Sequence, residues 1–174
     1  MRKTKIIFIA LIGLCLMACS RGPAIQTVNL NGSVKTLPDK GVYVYGKSSL
    51  PENAIVTGQL VELDGEEVYV EKKAKTDKDG NFTLEMKRPE LEQEYKLQVI
   101  FNPEEQEDKI KETFGDKGQY IKEDSEGFVK NIGDTDISGI IKYDQIYKVI
   151  TKGTVKKLGQ HSSLDSKFEI VNWD

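Results

Sequence analysis

Three stretches of this 174-residue chain hold residues whose types and spacing could do chemistry. The first is TDKDGNF at residues 76–82, where Asp77 and Asp79 alternate ahead of Gly80 and Asn81 as oxygen donors for calcium. A calcium loop beginning at Asp77 needs a glycine at its sixth position and a bidentate glutamate at its twelfth. Phe82 and Arg88 stand there instead. Polar residues with a glycine free to take positive φ suit the tight turn of a β-hairpin, and that is the reading expected. The second stretch, DTDISGIIKYDQ, places Asp134, Asp136 and Ser138 at loop positions one, three and five, with Gly139 at six. Its twelfth position is Gln145, a neutral amide that supplies no bidentate carboxylate. A polar loop leading into a strand is expected, and calcium at Asp134, Asp136 and Ser138 is left open as the alternative. The third stretch, GQHSSLDS, holds His161 near Ser162, Ser163 and Asp165. A catalytic triad requires convergence in space and an oriented base, which neighbours in a Ser- and Gly-rich loop rarely achieve. The chain has no H-E-x-x-H, no G-x-S-x-G and no phosphate-cradling glycine loop. No catalytic residue and no cofactor are expected.

The N-terminus carries a different kind of signal. Arg2, Lys3 and Lys5 precede an uncharged, largely apolar run over residues 6–18. That run falls short of the roughly 20 apolar residues of a spanning helix and has the shape of an export signal. It ends in Leu16-Met17-Ala18-Cys19, which resembles the lipobox of bacterial lipoproteins. The resemblance implies that Cys19 receives a diacylglycerol on its sulfur and becomes the mature N-terminus, with Leu16 and Ala18 in the signal-peptidase recognition positions. Two acyl chains suffice for stable membrane attachment. It also implies that Cys15 leaves with the signal, so the mature chain keeps no free thiol for a disulfide, a zinc site or a nucleophile.

Loss of Arg2, Lys3 and Lys5 takes the formal charge from −3 to −6. An acidic protein is not drawn to nucleic acid or to anionic headgroups, so the lipid, and not surface charge, is expected to hold it at the membrane. The localisation expected is the extracytoplasmic face of the cell membrane.

The elements that must position any site follow from periodicity. Residues 19–40 are rich in Gly, Pro, Asn and Ser and are read as a tether, though Val28, Leu30 and Val34 could let part of it pair as an edge strand. From Val42 the period is two, with strands expected over 42–45, 54–63 and 66–75, and around Phe82, Leu84 and Met86. Tyr95, Leu97, Val99 and Phe101 continue the alternation. In the 66–75 run, Val68, Val70 and Ala74 share the apolar face and Tyr69 the polar one. Asn102, Pro103 and two glutamates then open a helix near 103–114, with Ile110 and Phe114 on one face and Gly115 as terminator. Residues 115–139 read as loop, 140–151 as a strand, and Phe168, Ile170 and Val171 as a last one.

Several short strands and a single helix predict a mainly β fold, a β-sandwich. Within residues 46–101, Gly46, Pro51 with Ala54, T-D-K-D-G-N-F-T-L at 76–84 and Y-K-L-Q-V at 95–99 resemble the Ig-like and carboxypeptidase-regulatory-like modules of exported bacterial proteins. The resemblance implies an Ig-like β-sandwich over residues 41–174 with one short inserted α-helix. Such modules serve as spacers, adhesive parts or ligand-binding parts. If Val42 and Val44 face the core, Tyr43 and Tyr45 point outward, and tyrosines on a sheet face can grip a glycan or a protein. The function expected is a membrane-anchored, non-enzymatic binding or interaction module, its partner a cell-envelope protein or glycan. The alternative is an exported enzyme or calcium-dependent module built on the C-terminal half.

Overall fold

A computed structural model describes residues 23–149, 151–152, 155–156 and 161–170. The alternating segments form β1 (Leu30–Thr36), β2 (Gly41–Ser48), β3 (Ile55–Glu62), β4 (Val68–Lys75), β5 (Asn81–Lys87) and β6 (Tyr95–Phe101). A 3-10 turn (Pro103–Glu105) and α1 (Asp108–Phe114) follow. Then come β7 (Phe128–Val129), β8 (Gly139–Ile146), the small β9 (Thr151–Lys152) and β10 (Val155–Lys156) ribbon, and β11 (His161–Ser163). The first sheet has the order β11-β1-β2-β5 and the second β4-β3-β6-β8-β7, both antiparallel. β2 pairs with β5 in one sheet while β3, between them in sequence, pairs with β6 in the other. These interleaved pairs tie the layers into the expected β-sandwich.

Alternation decides which side chains are inside. Val34, Val42, Val44, Phe82, Leu84 and Met86 come from the first sheet, and Val56, Leu60, Tyr95, Leu97, Val99, Phe101, Ile140 and Ile146 from the second. All are buried and belong to one apolar cluster. Burying each of the larger ones contributes about 1.5–3 kcal/mol. The layers approach closely where β3 has Gly58, since a Cβ there would lie 2.8 Å from Leu84. α1 covers one end of the core through Ile110 and Phe114, whose ring meets Phe101 edge-on at 5.0 Å.

Several expected elements differ. Residues 30–36, placed at the end of a tether, form β1, flanked by β2 and β11 and so not at an edge. Val28 is buried before it, and Gln26 exchanges backbone hydrogen bonds with Tyr120 and Lys122. The apolar residues of that stretch were enough to draw it into the core. TDKDGNF is a turn but not a hairpin. β4 pairs with β3 and β5 with β2, so this corner carries the chain between sheets. A bulge in β4, opposite Leu60 and Val61 of β3, sets Leu60 opposite Val70 but Val61 opposite Val68, with Tyr69 as the extra residue. The slip reverses the local phase. Tyr69 packs toward the core, edge-on to Tyr95 at 5.7 Å, and Val68 is 45% exposed.

The helix expected over 103–114 is interrupted. Asn102 accepts from the Glu104 N–H at 3.0 Å to start the 3-10 turn, and Gln106 then leaves helical geometry. The Gln106 amide is buried and mimics a peptide group, accepting from Ile55 N at 2.7 Å and donating to Ile55 O at 3.0 Å. β8 ends at Ile146, not at 151. No strand covers 168–170; the Phe168 ring instead lies 6.0 Å from that of Tyr143. Val171 lies outside the described residues. Among the described residues the last strand is β11, whose three residues lie beside Ser33, Val34 and Lys35. Among the described residues, no helix is long and apolar enough to cross a membrane.

Candidate functional site on the outer face of the first sheet

The register of the first sheet fixes what faces outward. Val42 and Val44 are fully buried, so the period of two turns Tyr43 and Tyr45 away from the core. One row across the strands reads His161, Lys35, Tyr43, Glu85, and the next reads Ser163, Ser33, Tyr45, Thr83. Asn31, Lys47 and Asn81 form a third, and Gly41 with Lys87 lies beyond Tyr43. The two tyrosine rings are parallel to within 11°, with centroids 6.4 Å apart. Tyr45 is 49% exposed, one of few large apolar side chains open to solvent among the described residues.

Tyr43 is the more fixed of the pair. Its hydroxyl donates to Glu85 Oε1 at 3.2 Å, and the neighbouring carboxylate raises the phenol above its ordinary pKa. It also lines a shallow groove of about 510 Å³ with Asp39, Gly41, Glu85, Met86, Lys87 and, from β4 of the other sheet, Lys72. Asp39 is engaged locally, accepting from Gly41 N at 3.3 Å. Lys35, Lys47, Lys72 and Lys87 form no salt bridge with a described residue. Such a face offers apolar ring area, hydroxyl and amide groups, and cationic side chains on a rigid support, the means of binding a polar ligand.

The other sites raised by the sequence come out differently. The Asp77 carboxylate accepts from Asp79 N and Asn81 N, both at 2.8 Å, and from the Asn81 side-chain amide at 3.0 Å. The Asn81 side chain is the chief cause holding its pKa below the usual aspartate value. Its lone pairs hold the corner together. In the second loop, Asp136 pairs with Lys117 while the Ser138 hydroxyl donates to Lys130 O at 3.2 Å. Gln145 lies on β8 and donates to Glu94 at 3.0 Å, so the loop positions do not converge. Among the described residues, no group of three or more His, Cys, Asp and Glu is placed to hold a metal ion.

The His161 constellation is taken apart by strand geometry. His161 lies opposite Lys35 on the outer face, and Ser162 lies opposite buried Val34 on the inner one. The Ser162 hydroxyl donates to Asp144 of β8, not to Asp165. Asp165 bridges Tyr143 through backbone bonds of 2.7 Å in both directions. This inner position of Asp144 was not anticipated, nor was that of Lys142, fully buried with its Nζ 2.7 Å from Glu126. Burial raises the Asp144 pKa above the usual value. The only sequence sign was two charged residues interrupting the apolar positions of a strand. Cys19, Leu16 and Ala18 lie outside the described residues.

Compared with known proteins, the chain matches no family model, no curated protein and no solved structure.

Proposed function

We propose that the chain is a membrane-anchored bacterial lipoprotein whose extracytoplasmic β-sandwich is a non-enzymatic binding module, acting through the outer face of its first sheet. The observation that carries the reading is the outward-facing parallel pair, half-buried Tyr43 and exposed Tyr45, standing among hydrogen-bonding side chains on a sheet packed against the core. Ligand-contact energy concentrates in aromatic anchors presented in this way. The LMAC stretch supplies the second half: lipid on Cys19 keeps the domain near the envelope and raises its effective concentration toward partners there. The partner class that suits the face is a cell-envelope glycan or protein; the acidic net charge disfavours nucleic acid.

Two measurements test the halves separately. Fatty-acid labelling of cells should mark the protein and vanish in Cys19→Ala; labelling that persists in the variant contradicts the anchor. The full chain, extracted in non-ionic detergent, should co-sediment with lipid-extracted envelope material. A folded Tyr43→Ala, Tyr45→Ala double variant should stay in the supernatant. Equal sedimentation of both proteins would place the contact elsewhere.

A further inference from the structure

The charge on the tyrosine face runs against that of the molecule. Without its three N-terminal cations the chain carries a formal −6, a charge that repels anions at long range. On the outer face of the first sheet, however, Lys35, Lys47 and Lys87 surround Tyr43 and Tyr45 with Glu85 as the one carboxylate in the same rows. Lys72 adds a fourth cation from the opposite wall of the groove, where Asp39 is the second carboxylate. Both carboxylates accept from neutral donors, Glu85 from the Tyr43 hydroxyl and Asp39 from the Gly41 N–H, and keep their charge, so four ammonium groups stand against two carboxylates here. The four lysines form no salt bridge with a described residue. Some lysines elsewhere meet acids: Lys73 with Glu105 at 2.8 Å, Lys75 with Glu107 at 2.7 Å, Lys122 with Asp124 at 2.7 Å. Others, such as Lys78, Lys109 and Lys148, form no salt bridge with a described residue either; what distinguishes this face is that four such lysines stand about two aligned rings.

We infer that this face binds an acidic glycan, a chain of sugars bearing carboxylates, with the lysines meeting the acidic groups and the tyrosine rings lying against the sugar rings. The inference rests on the proposed binding role of the face and names its ligand. A neutral glycan would use the rings and leave the ammonium groups idle. A simple anion would use the ammonium groups and leave the rings idle. An acidic sugar chain uses both, and the open groove between Tyr43, Lys72 and Lys87 suits a ligand that runs across the surface.

The probe is polygalacturonate, with dextran as the neutral comparison, titrated against the full chain in non-ionic detergent. Polygalacturonate should bind and dextran should not. Binding should weaken between about 0.1 M and about 1 M salt, where the Debye length falls from roughly 10 Å to roughly 3 Å. Tyr45→Ala and the triple Lys35→Gln, Lys47→Gln, Lys87→Gln should each weaken binding at least about tenfold. The charge-matched triple Lys78→Gln, Lys109→Gln, Lys148→Gln, off this face, should not. Equal binding of dextran would overturn the acidic component. Loss in the lysine triple with full binding by Tyr45→Ala would reduce the face to charge attraction and overturn the glycan. Binding of neither polymer would overturn the ligand class, while envelope co-sedimentation that depends on the tyrosines would leave the binding role standing.

Discussion

The corner at residues 76–80 joins the two sheets, and Gly80 is the residue on which its geometry turns. An alanine there must hold φ near +78°, in the left-handed region. For an L-residue this costs roughly 1–2 kcal/mol. Its Cβ would also lie 2.2 Å from the Ser48 carbonyl oxygen, so backbone must move. What moves is the contact between the corner and the end of β2. Ser48 N and Ser48 Oγ both donate to Gly80 O, each at 2.9 Å. Hydrogen bonds of this kind contribute about 1 kcal/mol each, so Gly80→Ala should cost roughly 2–4 kcal/mol in all. Gly133 supplies the comparison, since its φ is +57° and a Cβ there meets nothing within 4 Å. Gly133→Ala should therefore carry the backbone cost alone, roughly 1–2 kcal/mol. In a domain of this size each kcal/mol moves Tm by roughly 2–4 °C, which makes the pair separable by thermal and urea unfolding followed by circular dichroism. Equal costs for the two variants, or a Gly80→Ala cost under about 0.5 kcal/mol, would refute the packed corner.

Two carboxylates should respond to pH with opposite sign. Asp77 has a folded pKa lowered chiefly by the Asn81 side chain, so its contribution is present above its unfolded value and lost as pH falls through the folded one. Asp77→Asn should lower Tm at neutral pH, with the difference vanishing in acid. Asp144 has a folded pKa raised by burial, so stability falls as pH rises from its unfolded value through the folded one, then levels. Asp144→Asn should raise Tm at neutral pH, with the gain disappearing toward pH about 4; a uniform loss at all pH values would show that the link to Ser162 outweighs burial of the charge. Glu126→Gln strands the fully buried Lys142 ammonium and should cost about 1–3 kcal/mol, discounted because Glu126 is itself 61% exposed. Lys142→Met removes the charge altogether and should cost less than Glu126→Gln in the same urea unfolding assay; the reverse order would contradict the burial argument.

Much of the sandwich is legible in the alternation. The inward faces of β2, β5 and β6 read directly from Val42 and Val44, from Phe82, Leu84 and Met86, and from Tyr95 to Phe101. Features that depend on partners are not legible in this way. β11 is His-Ser-Ser, a segment without β-branched or apolar alternation, and it is a strand because the backbone of β1 is there to pair with it. β4 reads correctly until the bulge, where one unpaired residue exchanges the environments of Val68 and Tyr69. TDKDG announces a turn in its own residues, but whether the flanking strands pair is decided by β2 and β3. The candidate site divides the same way. The outward sense of Tyr43 and Tyr45 follows from the valines beside them. Lys35, Glu85, Lys87 and His161 join them only through the register of three other strands.

The central claim is that the outer face of the first sheet meets a ligand in the envelope. A benzophenone photo-crosslinker carried in place of Thr83, exposed and directly opposite Tyr45, tests it in intact cells with both tyrosines kept. Illumination should give adducts with envelope material that disappear in a Tyr43→Ala, Tyr45→Ala background, and none when the crosslinker replaces exposed Lys109 on α1. Adducts from position 109 but not from 83, or adducts from 83 that persist without the tyrosines, would contradict the account.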